Sequence, residues 1–254
     1  MKVLVLQTDI VWADPKANIA YLDAEINKHE GVDLIVMPEM FSTGFCTQPE
    51  GIAEKADSDT LKWMIKKAGE KNCALAGSIA VEEEGRFGNR FYFVHPEGKV
   101  EWYDKKHLFT YGGEHKRFTA GEKRVIVNYR GVRILLLVCY DLRFPVWSRN
   151  RKDYDMVLYV ASWPTSRVEV WKVLLRARAI ENQCYVAGVN RVGTDPYCEY
   201  SGGTAIIDPY GRTMAACEDG KADTAEADID MEVLETFRKK FPVLDDADDY
   251  EIMI

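Results

Sequence analysis

The chain has 254 residues, and its 33 Lys and Arg against 41 Asp and Glu leave a formal net charge of -8. Neutralising phosphates takes a cationic surplus gathered on one face, so this balance argues against nucleic acid as a partner. With 47% hydrophobic residues, no linker and no run near the ~20 apolar residues needed to cross a bilayer, the sequence predicts one globular domain over 1–254, away from membranes.

In chain order, Met1 to Gln7 reads as a buried strand, and Asp14-Pro15 starts a helix that carries Ile19, Leu22 and Ile26 at helical spacing to Gly31. Asp33 to Met37 is a second short buried strand. A helix from about Asp57 to Asn72 turns Leu61, Trp63, Met64 and Ile65 toward the core, and Ala74 to Val81 forms a strand that ends in the acidic turn Glu82-Glu83-Glu84-Gly85. The strands Arg90–Val94 and Val100–Asp104 flank His95-Pro96-Glu97-Gly98, a hairpin composition. Arg130-Gly131 joins a further pair, Val125–Tyr129 and Val132–Val138. Because Ile134 to Val138 is apolar on both faces, that strand belongs at the centre, covered on both sides. A strand at Met156–Val160, a helix at Val168–Asn182 and a strand at Tyr185–Val192 form a βαβ unit. A last hairpin turns at Asp208-Pro209-Tyr210-Gly211, and a helix near Met231–Lys240 precedes the tail. Crossovers mixed with hairpins give an α/β domain with mixed sheets packed as layers.

Three strand ends carry reactive side chains. Cys139 stands where the long apolar strand stops, at a polar, turn-forming stretch that exposes a side chain and frees backbone N–H groups for an oxyanion. Glu39 follows the strand Leu34–Met37, where a partly desolvated carboxylate suits a general base. Lys105 ends the strand Val100–Asp104, where an ammonium can stabilise charge on a substrate oxygen. Taken singly, each has an ordinary alternative: a core cysteine, a surface glutamate, a solvated lysine. The other five cysteines, Cys46, Cys73, Cys184, Cys198 and Cys217, are scattered without CxxC or Cys/His zinc spacing, so all six are expected as reduced thiols in the cytoplasm, with no metal and no cofactor. The four His leave a Cys-His protease poorly supplied, and His107 is best placed as support for the Lys105 loop.

Together, Val36-Met37-Pro38-Glu39-Met40-Phe41, Tyr103-Asp104-Lys105-Lys106-His107-Leu108-Phe109 and Val138-Cys139-Tyr140-Asp141-Leu142-Arg143-Phe144-Pro145 resemble, in order and spacing, the Glu, Lys and Cys motifs of the nitrilase superfamily of carbon-nitrogen hydrolases. Glu114, within Tyr111 to Gly121, is similar to the second glutamate of that family, and Arg176 to Asn182 resembles its return to the sheet. Leu142-Arg143-Phe144-Pro145 and Ala161-Ser162-Trp163-Pro164 are similar to the omega-amidase branch. Trp163-Pro164 departs from the Ala-Phe pair of Nit2-type enzymes toward bacterial YafV-like amidases.

The resemblance implies a four-layer α-β-β-α sandwich with two mixed sheets, a homodimer, and a C-terminal tail over 241–254 packing at its interface. It also implies hydrolysis of a small amide, of the terminal amide of dicarboxylate monoamides in this branch, through a thioester on Cys139. Glu39 then acts as base, Lys105 and the Tyr140 N–H hold the oxyanion, and Glu114 tunes the set. Arg143 and Arg167 are the nearest candidates to receive a distal carboxylate, with Phe109, Tyr111 and Trp163 as an apolar wall. Another amidase or an N-carbamoyl hydrolase of the same superfamily is the alternative. A metal-dependent phosphodiesterase would leave Cys139 and Lys105 idle, and a binding protein would leave the whole set without turnover.

Overall fold

Side chains along a strand point to opposite faces in turn, so a strand that is apolar throughout divides two cores. In β1 (Lys2–Gln7), Val3 and Val5 enter one buried cluster and Leu4 and Leu6 another. The structure, a computed structural model that describes residues 1–252, repeats this division in β2 (Leu34–Val36), with Leu34 and Val36 on the first side and Ile35 on the second. Two helices close the second cluster through Leu22 and Ile26 of α1 (Pro15–Ile26) and Met64 and Ala68 of α2 (Asp59–Lys71). α1 starts as predicted, with the Asp14 carboxylate accepting from the Ala17 N–H at 3.0 Å and Pro15 in the first turn. α2 is shorter than predicted, because Ser58 caps it and Asn72, at φ +50°, ends it in the left-handed region. Of its expected core residues only Met64 is fully buried; Leu61, Trp63 and Ile65 pack at the margin.

A short strand missed in the sequence, β3 (Glu54–Lys55), pairs parallel with β4 (Ala74–Glu83). β4 and β5 (Arg86–Val94) run further than predicted. Their turn is confined to Glu84-Gly85, both at positive φ, while Glu82 and Glu83 remain strand residues and pair with Lys55 and Arg90. β5 continues antiparallel into β6 (Val100–Asp104).

β7 (Ile126–Tyr129) and β8 (Val132–Val138) form the expected hairpin over Arg130-Gly131. A small helix, α3 (Pro145–Ser148), follows the end of β8. β9 (Met156–Ala161), α4 (Val168–Asn182) and β10 (Tyr185–Asn190) make the predicted parallel βαβ unit. The chain then makes a separate ribbon, β11 (Val192–Thr194) with β12 (Glu199–Ser201), and a hairpin, β13 (Ala205–Ile207) with β14 (Thr213–Ala216). β15 (Asp223–Asp228), also missed, pairs antiparallel with all of β1 before α5 (Met231–Lys240).

One sheet therefore has the order β15-β1-β2-β4-β5-β6 with β3 beside β4, and the other β14-β13-β10-β9-β8-β7. The first cluster lies between the sheets, joining Val3, Val36 and Phe93 to Ile134, Leu136 and Val138, and extends to Trp171 and Leu175 of α4 beyond the second sheet. The result is the α-β-β-α sandwich of two mixed sheets, with α1 and α2 outside one and α4 outside the other. Among the described residues no helix is long and apolar enough to cross a membrane. The tail folds back on its own chain: Leu244 is buried, Asp245 meets Lys152 at 2.6 Å, and the Tyr250 hydroxyl donates to the Val146 carbonyl. The expected docking of the apolar end, Ile252 to Ile254, rests on Met253 and Ile254, which lie outside the described residues.

Candidate active site

Parallel strands of a layered sheet end on the same side, which is where loop side chains from distant parts of the chain can meet. Glu39 leaves β2 on a backbone pinned to β4, with the Met37 N–H on the Ala76 carbonyl at 2.8 Å and the Met40 N–H on Ser78 Oγ at 2.9 Å. Lys105 leaves β6 with its N–H on the Asn89 carbonyl at 3.0 Å and its carbonyl receiving the Gly121 N–H at 2.9 Å. Cys139 leaves β8 and opens the 3-10 turn Cys139–Arg143 at φ +45°, a conformation uncommon for a residue with a Cβ and typical of strained functional turns.

These ends converge on the Lys105 ammonium. Its Nζ lies 3.0 Å from Glu39 Oε1 and 3.1 and 3.0 Å from the two oxygens of Glu114, and all three side chains are fully buried. Glu114 also accepts the Phe109 N–H at 2.6 Å, and Glu39 Oε2 accepts the Ser162 N–H at 2.8 Å. Glu39 is thus enclosed and bonded at both oxygens, rather than partly desolvated at a sheet edge. The Lys105 ammonium fills the space between the two carboxylates.

Burial opposes the charge on Lys105, but Glu114 and Glu39 outweigh it and hold the ammonium above its ordinary range. Burial, with Glu39 beside it, pushes Glu114 up despite the pull of Lys105. Loss of solvent and the neighbouring Glu39 carboxylate push the Cys139 thiol well up, while Lys105 pulls it down. The resting sulfur is therefore protonated and needs a base at the moment of attack.

Asp141 joins two of the loops. It accepts the Val138 N–H at 3.0 Å and the Tyr103 hydroxyl at 2.8 Å with one oxygen, and the His107 N–H at 3.0 Å with the other. The His107 ring sits 2.8 Å from that same oxygen and stacks on Phe144 at 3.8 Å, so His107 supports the Lys105 loop as predicted.

A cleft opens over Cys139. Phe109, Arg143, Trp163 and Arg167 line it, together with Lys105 and Tyr140. Trp163 is a fixed shelf, with its indole N–H on the Arg167 carbonyl at 2.8 Å and its backbone held on both sides by Asn190. The Arg143 guanidinium lies 4.9 Å over the Trp163 ring and that of Arg167 5.6 Å over Phe109, and among the described residues neither is paired with a carboxylate. Tyr111 is not part of the wall. The turn Thr110–Gly112 folds so tightly on Phe109 that a Cβ on Gly112 would lie 2.6 Å from its ring, and Tyr111 is turned outward, 88% exposed. The sequence reading missed Phe45, Cys198 and Tyr200, which also line the cleft, and Asn89, which bonds both glutamates. The predicted strand begins at Arg90, so Asn89 gave no signal of a buried strand position, and ribbon β11–β12, which brings Cys198 and Tyr200, offered none either.

The carbon-nitrogen hydrolase family pattern matches residues 2–239. The chain is 47% identical over 253 residues to omega-amidase YafV of Escherichia coli (strain K12), covering 99% of this chain and 98% of that protein. It is 36% identical over 248 residues to a 2-oxoglutaramate amidase of Bacillus subtilis (strain 168), covering 95% of each. Among solved structures, XC1258 of Xanthomonas campestris, a CN-hydrolase superfamily protein with an arsenic adduct in its active site, matches with a TM-score of 0.97 and 38% identity over 100% of this chain and 99% of that one.

Proposed function

From the premise that the chain belongs to the carbon-nitrogen hydrolase family, we propose that it hydrolyses the terminal amide of small dicarboxylate monoamides, of the 2-oxoglutaramate and 2-oxosuccinamate type, to carboxylate and ammonia. The observation that carries this reading is the convergence of Glu39, Lys105 and Cys139 beneath a cleft lined by two guanidiniums without carboxylate partners among the described residues. A thiol, a carboxylate base and a buried cation are the parts needed for acyl transfer, and free guanidiniums suit a distal carboxylate.

In this mechanism Glu39 takes the proton of Cys139, and the thiolate attacks the amide carbon. The Lys105 ammonium and the Tyr140 N–H hold the oxyanion. Glu39 returns the proton to the leaving nitrogen, ammonia departs, and a thioester remains on Cys139. The same carboxylate then activates water to hydrolyse the thioester, which restores the thiol and releases the acid. Glu114, bonded to Lys105 and to the Phe109 N–H, keeps the ammonium charged and aimed. The global charge of -8 repels an anionic substrate, so its capture falls to Arg143 and Arg167.

We also propose a homodimer through the outer face of α4 and the chain's end, supported by exposed Val170, Val173, Ile180 and Phe241, and a cytoplasmic setting, which suits six free cysteines. Ammonia release from a panel of monoamides, nitriles and N-carbamoyl compounds tests the activity, with Cys139→Ala as the inactive control. Arg143→Ala or Arg167→Ala should raise KM for a carboxylated amide about tenfold or more, the scale of one charge-assisted hydrogen bond, and leave a neutral amide nearly unchanged. Equal effects on both substrates would remove the carboxylate-binding role, and turnover by Cys139→Ala would remove the mechanism.

A further inference from the structure

Two buried carboxylates on one cation leave an excess negative charge, and something uncharged must keep them side by side. Asn89 lies inside β5, fully buried, with its backbone fixed on both sides: it is in register with Ala80 of β4, and its carbonyl accepts the Lys105 N–H. Its amide nitrogen donates to Glu39 Oε1 at 2.8 Å and to Glu114 Oε1 at 3.3 Å, the oxygens that Lys105 also contacts at 3.0 and 3.1 Å. The amide oxygen is buried without a partner among the described residues. Flipping the amide would aim that oxygen at two carboxylates, so the chemistry of the neighbours fixes its orientation. An orphaned buried acceptor is costly, and the position tolerates it in order to present both donors to the glutamates.

We propose that Asn89 is a positioning residue for the base: it clamps Glu39 to Glu114 and leaves Glu39 Oε2 on the Ser162 N–H beside the thiol. This rests on the amide-hydrolase reading for its kinetic readout alone. The charged and titratable groups facing the clamp are Glu39, Lys105, Glu114 and Cys139, with Cys46 behind the glutamates, its thiol pushed up to about 12 by burial.

Donors to a carboxylate lower its proton affinity, so removing them raises it. Asn89→Leu, close in size and without donors, should move the acid limb of the kcat/KM profile to higher pH by about one unit, with KM within about twofold of the wild type. The rate of Cys139 alkylation by iodoacetamide, which needs no turnover, should show the same displacement. Asn89→Ser keeps one donor and should shift both limbs in the same direction by less; it carries the test alone if the leucine variant does not fold. A folded variant with the wild-type limb in both measurements overturns the clamp, as does a change confined to KM. If the wild-type chain releases no ammonia while the alkylation limb still moves, the amide reading fails and the clamp stands.

Discussion

Replacing Lys105 by Met removes the one cation between two fully buried carboxylates while keeping most of the side-chain volume. Three contacts of 3.0 to 3.1 Å are lost, and Glu39 and Glu114 are left facing each other without compensation. Breaking a buried pair in this way costs about 3–5 kcal/mol, which urea unfolding at neutral pH would record. Loss of an oxyanion donor separately costs about 2.7–4 kcal/mol at the transition state, a fall of about 10²–10³ in kcat. The two effects can be separated. Lys105→Met/Glu114→Gln relieves the like-charge repulsion, so it should regain at least half of the lost stability while ammonia release stays down. The ammonium is held above its ordinary value of 10.5, so its contribution is complete at all lower pH and is lost only as pH rises beyond that value. Assays near neutrality therefore compare a fully charged wild type with an uncharged variant. A folded Lys105→Met within tenfold of wild-type turnover would refute the oxyanion role, and recovery of activity together with stability in the double variant would show that Lys105 serves only the charge balance.

Other outcomes follow from the same geometry. Glu114 is raised above its ordinary 4.5, chiefly by burial, so its contribution to stability is complete below that pH and declines as pH rises through the folded value. Measured by urea unfolding across pH, the wild type should lose stability relative to Glu114→Gln above about 4.5 and then level off; the opposite slope would contradict the assignment. A Cβ on Gly121 would lie 2.0 Å from the Asp104 carbonyl oxygen, a backbone atom that cannot swing aside. Gly121→Ala should therefore cost about 1–3 kcal/mol in a thermal or urea melt and, by displacing Lys105, lower kcat more than it changes KM.

Much of the frame was legible because its cause is local. The apolar run of β1, unbroken apolarity in β8, the Asp14-Pro15 helix start and the Arg130-Gly131 turn all act within a few residues, and each element formed near its predicted place. β15 was missed because Asp223-Thr224-Ala225-Glu226-Ala227-Asp228 has little strand propensity of its own; it is an edge strand made by its pairing with β1, more than 200 residues earlier in the chain. Glu82 and Glu83 were assigned to a turn on composition, and cross-strand partners kept them in β4.

The site divides along the same line. Three motifs in register were enough to single out Glu39, Lys105 and Cys139, since chemistry demands a base, a cation and a nucleophile at strand ends. Which oxygen meets which donor, the clamp by Asn89, the Asp141 tie between two loops and the outward turn of Tyr111 depend on contacts between segments far apart in the chain. Sequence spacing is silent about such contacts. Residue type and strand position determined which groups could react; packing the two sheets together decided their protonation, their distances and which arginines line the cleft.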